Sequence, residues 1–316
     1  MSDSIKLGAL CWNQHATWPD MLRAGRLADE LGYDSLWTWD HLYPIVGSDD
    51  GPILEGYMIL AAWAQATERV QIGLMVGANP FRNPALVAKM VTTLDHISHG
   101  RAILGIGAAW FETEHTAFGL DFGESPGERL RWLREALPVM RGMLHGEQPS
   151  AAGPHYAMRE VRNLPAPVQR QLPILVGGGG EKVTLRLVAR YADMNNVGGG
   201  FENVKRKEEI LRQHCADVGR DEREIERTAN MGPIIVRDTV EEAQRVLADL
   251  FRHNGDASTW AGRSPADQPV GPPDVVAGAL AQYVDIGYRH LVIGLPSPYD
   301  EETMTRLVRE VRPLLG

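Results

Sequence analysis

With 316 residues, 44% of them hydrophobic and 23% charged, the chain is long enough for one large α/β domain or two ordinary ones. A balance of 41 acidic against 32 basic side chains, net charge −9, excludes a general nucleic-acid-binding surface but leaves room for a local basic pocket. Two cysteines, Cys11 in a strand-like run and Cys215 in a charged helix, exclude a disulfide scaffold or a zinc site and point to a reduced, cytoplasmic protein. No apolar run approaches bilayer length and the first residues carry no basic leader, so no membrane association is expected.

Strand-like and helix-like segments alternate from the start. Ile5–Cys11 reads as a strand and Trp18–Leu31 as a helix stopped by Gly32. Asp34–Trp39 is the next strand and Leu54–Thr67 the next helix. Val70–Val76 is a continuous apolar strand, and Asn83-Pro84 opens a helix to His99. Arg101–Gly107 follows, then Ser125-Pro126 opens a long helix to Leu144. A proline-rich excursion, 146–171, is too long for an ordinary connection. Pro173–Val176 leads through Gly177, Gly178, Gly179 and Gly180 into a helix-like stretch from Glu181. Ala192–Val197 precedes the charged helix Glu202–Val218, and Thr228–Val236 precedes Val240–Phe251. After a second insertion, Asn254–Pro273, the helix Asp274–Ile286, the strand His290–Leu295 and the helix Glu301–Leu315 complete the chain.

Eight strand candidates alternating with amphipathic helices favour a closed (β/α)8 TIM barrel over 1–316, with insertion segments near the C-terminal mouth. The open doubly wound sheet is the rival. It usually carries GxGxxG after its first strand, where this chain has Cys11-Trp12-Asn13-Gln14.

In a barrel the residues just after each strand line the active site. Here they are rich in aromatics, amides and glycines: Trp12-Asn13-Gln14, Trp37-Thr38-Trp39-Asp40-His41, Gly77-Ala78-Asn79, Gly107-Ala108-Ala109-Trp110, the four glycines, and Asn195-Asn196. That set suits a flat aromatic ligand with a phosphate tail. The bare backbone at Gly177–Gly180 can turn its N–H groups toward an anion, and Lys182 is a nearby cation, although a solvated lysine reads equally well. Asp40-His41 can hold and pass a proton; in an arbitrary sequence capping of the following loop would be the reading, but at a barrel strand end flanked by Trp37 and Trp39 the functional one is favoured. His96 and His99 fall at the end of a helix and suit its C-terminus. Glu112, Glu114 and His115 follow the fourth strand. No HExxH or comparable cluster supports a metal, and Lys205–Arg212 reads as a solvated helix face.

The chain resembles the luciferase-like (bacterial-luciferase-type) flavin and deazaflavin oxidoreductases, most of all the actinobacterial branch dependent on coenzyme F420. The likeness runs nearly the full length. It rests on Ser35-Leu36-Trp37-Thr38-Trp39-Asp40-His41, on Leu94-Asp95-His96-Ile97-Ser98-His99-Gly100-Arg101, and on Leu104-Gly105-Ile106-Gly107-Ala108-Ala109-Trp110. Pro126-Gly127-Glu128-Arg129-Leu130, Ile174–Lys182, Ala189-Arg190-Tyr191-Ala192-Asp193 and Gly271-Pro272-Pro273-Asp274-Val275 extend it. One departure is Ala109, where the family commonly has glycine.

The resemblance implies a barrel with the cofactor's tricycle across its top and its phosphate at Gly177–Gly180 with Glu181 and Lys182. It implies a non-prolyl cis peptide behind the ring, expected at Val76–Gly77 or else Gly77–Ala78, so that Val76, Gly77, Ala78 and Asn79 contact the cofactor together with Asp40, Ala108, Ala109 and Trp110. His41 and Asp40 are then the catalytic pair; on position alone, Trp12, Asn13, Trp39 and Glu112 are expected to line the substrate pocket. The implied reaction is hydride transfer between F420 and a small organic substrate. An FMN-dependent monooxygenase is the first alternative and a non-catalytic flavin- or deazaflavin-binding protein the second. A homodimer fits the family.

Overall fold

The computed structural model describes residues 4–255 and 268–316, so most of the second insertion lies outside the described residues. Its main strands are β1 (Lys6–Cys11), β2 (Ser35–Thr38), β3 (Gln71–Leu74), β4 (Ala102–Gly107), β5 (Ile174–Gly177), β6 (Met194–Gly198), β7 (Glu226–Pro233) and β8 (His290–Leu295). They hydrogen-bond in the order β3-β2-β1-β8-β7-β6-β5-β4, and a β3–β4 pairing closes the ring. Each strand thus pairs with its sequence neighbours, and registers such as Lys6 opposite His290 and Leu104 opposite Ile174 are parallel. This is the (β/α)8 barrel expected from the alternation of elements.

The helices are α1 (Trp18–Leu31), α2 (Gly56–Ala66), α3 (Pro84–Ile97), α4 (Glu112–Phe118), α5 (Pro126–Leu144), α6 (Thr184–Tyr191), α7 (Phe201–Val218), α8 (Val240–His253), α9 (Pro273–Asp285) and α10 (Glu301–Arg306). Their ends follow local chemistry. Thr17, Asn83 and Ser125 accept hydrogen bonds from first-turn amides of α1, α3 and α5, each with proline in that turn. Gly32, at φ 88°, ends α1 in the left-handed conformation that glycine adopts without strain.

Some boundaries differ from the sequence reading. The stretch Thr228–Val236 is broken: β7 stops at Pro233, and Ile235–Val236 pairs instead with Val270–Gly271. The final helix changes pitch after Arg306, passing through a π turn into a 3-10 turn that contains Pro313. Within 146–171, Ala151–Ala152 and Ala157–Met158 form a small antiparallel hairpin.

The chain forms two compact units. The first comprises Met1–Gln71, Gly198–Lys205 and Arg227–Gly316; the second comprises Ile72–Val197 and Arg206–Glu226. In the first, Leu7, Leu10, Leu36, Trp37, Trp63 and Tyr288 are fully buried. Gly25 makes room for the Trp63 indole, whose Nε1 donates to the Met21 carbonyl. In the second, the buried core includes Ile72, Leu74, Ile103, Leu133, Met140 and Leu185.

Each unit also uses one buried carboxylate as a clasp. Asp29 accepts from the amides of Glu68, Arg69 and Val70 at 2.8–3.0 Å. Asp95 accepts from the Gln169 amide and side chain and from the Ala102 amide. Burial opposes ionisation of Asp29, but the three amides and Arg69 outweigh it and hold the carboxyl below the usual range. Its stabilisation is therefore complete above about pH 4 and is lost as pH falls through the depressed native value. Asp29→Asn is expected to cost about 1–3 kcal/mol at pH 7. Urea unfolding at pH 7 and pH 3 should show the gap between variant and wild type shrinking in acid.

Candidate functional site

The second unit carries the expected bulge, one peptide earlier than anticipated. The non-prolyl cis bond is Met75–Val76, not Val76–Gly77 or Gly77–Ala78. Gly77–Ala78 instead resumes as a short parallel strand beside Ile106–Gly107. That pairing requires ordinary extended backbone at Gly77 and Ala78 and so moves the irregularity to the residue before them.

Three glycines make room for this corner. A Cβ on Gly105 would fall on the Leu74 carbonyl oxygen. One on Gly107 would come within 2.8 Å of Val76 Cγ2, and one on Gly177 within 2.8 and 2.9 Å of the two Val76 methyls. The isopropyl group of Val76 thus occupies space vacated at the ends of β4 and β5. Asn79 is tied to the excursion after α5: its Nδ2 donates to the Tyr156 hydroxyl at 3.1 Å. Burial pushes the Tyr156 hydroxyl up to about 12. Sequence reading did not single out Tyr156, which carries no motif.

Beyond β5 the glycines form an open loop, and the helix starts only at Thr184, three residues later than expected. Gly180 lies too close to the Thr184 side chain for a Cβ, which would stand 2.6 Å from Thr184 Oγ1. Gly178, at φ 114°, has its amide committed to the Asn196 carbonyl. An anion would therefore be met by the amides of Gly179, Gly180 and Glu181. Glu181 is paired with Lys207 at 2.5 Å and Arg206 at 3.0 Å, and these bonds hold its carboxyl below the usual range. Lys182 is exposed. Lys205–Arg212 is not simply a solvated face: Lys207 lies over Gly179, and Glu208 is buried and paired with Arg212.

After β4, Ala108 and Ala109 are partly buried, whereas Trp110 and Glu112 are exposed. Ala109 has φ 66°, the left-handed region that favours glycine, which gives a backbone reason for the family's usual residue there. Arg129 steadies this loop, donating to the carbonyls of Ala109 and Phe122 and stacking 3.7 Å from the Phe122 ring centroid. Glu114 and His115 are buried, with His115 between Phe81 and Phe122. His96 bonds the Ala166 carbonyl in the excursion, not the end of its own helix.

The first unit brings together the other expected residues. Trp12 and Trp39 are buried with ring centroids 4.9 Å apart. Asn13 is fully buried; its Nδ2 donates to the carbonyls of Trp39 and Leu54, and its Oδ1 has no hydrogen-bond donor. Gln14 is structural, bridging the backbone of Ile45 and Val46. Asp40 is buried, and the half-buried His41 stands edge-on to Trp39 at 6.5 Å. His290, not singled out by sequence, sits at the start of β8 with its Nε2 2.7 Å from Ser35 Oγ, which also accepts from Trp37 Nε1. That is the end of the strand away from the mouth, so the trio is a core network. Burial pushes the Cys11 thiol up strongly, leaving it unsuited to nucleophilic use.

A ligand with a phosphate tail fits the donor set of the second unit: an open glycine loop with amides and a lysine, beside a bulge packed by Val76. Among the described residues no group of three or more His, Cys, Asp or Glu could hold a metal ion, and no helix is long and apolar enough to cross a membrane.

Comparison with known proteins agrees with the architecture. An F420-dependent glucose-6-phosphate dehydrogenase of Kineococcus radiotolerans is 31% identical, over 91% of this chain and 90% of that protein. The structure of an F420-dependent secondary alcohol dehydrogenase in complex with an F420-acetone adduct superposes with a TM-score of 0.86 at 19% identity, covering 99% of each chain. That of the monooxygenase RslO1 from Streptomyces bottropensis gives 0.83 at 21% identity, covering 99% of this chain and 100% of that one. The profile of the luciferase-like monooxygenases matches residues 5–290, and the chain belongs to that family.

Proposed function

We propose that the protein is an F420-dependent oxidoreductase that transfers a hydride between the deazaflavin and a small organic substrate. The observation that carries this reading is likeness over more than nine-tenths of both this chain and an F420-dependent dehydrogenase from Microbacterium testaceum, 28% identical. The F420-named relative from Kineococcus adds to it. F420 would be held by the amides of the glycine loop and of Glu181, by Lys182, by Val76, Gly77, Ala78 and Asn79, and by Asp40, Ala108, Ala109 and Trp110. The bound deazaflavin supplies the hydride chemistry. His41 gives or takes the accompanying proton at its ring nitrogen, and Asp40 orients the imidazole. Trp12, Asn13, Trp39 and Glu112 line the substrate pocket.

A second reading, an FMN-dependent monooxygenase, draws on the family's description and on the solved monooxygenase of the same fold. Nothing in the glycine loop separates the two, because both ligands carry a phosphate after a ribityl chain. Paired titration of the protein with F420 and FMN, followed by fluorescence, decides between them. Micromolar or tighter F420 with weak FMN is the expected result, and glucose 6-phosphate and simple secondary alcohols are then the first substrates to test. The reverse preference makes the monooxygenase the better reading. Tight binding without turnover on a broad screen favours the non-catalytic binding protein.

A further inference from the structure

We propose that Lys207 is the principal cation for the ligand's phosphate, and that Glu181 is an internal counter-ion which the phosphate displaces. This rests on the phosphate-bearing ligand proposed above and deepens it.

The argument starts from the stem of Lys207. A Cβ on Gly179 would come within 3.3 Å of Lys207 Cε and 3.7 Å of Cδ, so the lysine chain lies across the glycine loop. The side chain is only 13% exposed, and its ammonium is 2.5 Å from Glu181 Oε1. Lys182, by contrast, is nearer in sequence but exposed. Holding a lysine stem against backbone removes much of the entropy that a free lysine loses on binding an anion. The head group is therefore already placed beside the loop whose amides would meet the same phosphate.

Glu181 is built to let go. Its backbone is fixed, because its carbonyl accepts from His214 Nε2 at 2.7 Å, while its side chain keeps 31% exposure. The carboxylate can swing toward solvent without moving the loop. It bridges two cations, Lys207 and Arg206, that would otherwise repel one another. The phosphate of either ligand, a monoanionic diester in F420 and a more highly charged monoester in FMN, presents anionic oxygens that compete with the carboxylate for the same donors. Once it binds, a carboxylate left in place would repel it.

The test uses two ligand pairs that differ in the phosphate-bearing tail: F420 against its phosphate-free chromophore 8-hydroxy-5-deazariboflavin, and FMN against riboflavin. The readout is the ratio of dissociation constants within a pair. Lys207→Met is expected to lower the preference for the phosphorylated ligand about tenfold, the scale of one charge-assisted contact. The chromophore's own affinity should hold, and Lys207→Arg should restore most of the preference. The loss at Lys182→Met should be smaller than that at Lys207→Met. Glu181→Gln should tighten the phosphorylated ligand alone, whereas a carboxylate that merely positions the lysine would loosen it when removed.

An unchanged ratio in Lys207→Met, a larger loss in Lys182→Met, or weaker phosphate preference in Glu181→Gln overturns the assignment. Wild type that binds neither pair overturns the cofactor reading itself, and is distinguished from those outcomes by the absence of any ratio to compare.

Discussion

His41→Ala is expected to lower turnover with F420 and substrate by about 10²- to 10⁴-fold, the range lost when a positioned general acid–base is removed. The affinity for F420 measured by fluorescence should stay near that of wild type. The expectation follows from placement: His41 comes directly after β2, half-buried, edge-on to Trp39 and next in sequence to the buried Asp40. Removing the imidazole takes away the proposed acid–base and alters no residue of the glycine loop or of the Val76 corner. Added imidazole should recover part of the rate by supplying the missing group from solution. A histidine that only shaped the pocket would behave differently: KM would rise, kcat would hold and imidazole would do nothing. Asp40→Asn should lower kcat less than His41→Ala, because it disturbs the orientation of the base and not its presence.

The ring of strands was legible because most of the parallel strands carry a short apolar run between helices with explicit start and stop signals. Trp18–Leu31 could be read to the residue, since Thr17, Pro19 and Gly32 mark both ends. Boundaries went astray where tertiary pairing overrode local pattern. Val70–Val76 is apolar nearly throughout, and nothing in that composition says that β3 pauses at Met75–Val76 and resumes at Gly77–Ala78. Lys207 was hidden for a different reason. A lysine in a run of charged helical residues is usually solvated, and only the fold brings this one over Gly179, 28 positions earlier in the chain. Asp95 belongs to a segment that sequence could flag by resemblance, yet its contacts with Gln169 and Ala102 show a structural clasp. Trp110, expected at the cofactor, is 62% exposed, so its place in the proposed site depends on the ligand covering it.

Gly105→Ala is expected to be the most damaging single methyl in the second unit, costing about 3 kcal/mol or more and preventing accumulation of folded protein in a marginal background. The reason is the identity of the obstacle. At Gly105 the added carbon meets the carbonyl of Leu74, main chain in the paired neighbour β3, which cannot turn aside without disturbing the β3–β4 ladder. At Gly177 the same carbon meets only the Val76 methyls. Gly177→Ala should therefore cost about 1–3 kcal/mol, and Val76→Ala in the same chain should recover part of it as a favourable coupling of about 0.5–3 kcal/mol. No such recovery is available to Gly105→Ala, because its obstacle has no side chain to trim. Urea unfolding of the four variants reads both effects. A Gly105→Ala protein as stable as Gly177→Ala would mean that the Leu74 corner yields more easily than its packing implies. Additive losses at Gly177 and Val76 would mean that the glycine at the end of β5 is there to admit a ligand to the backbone and not to seat the valine.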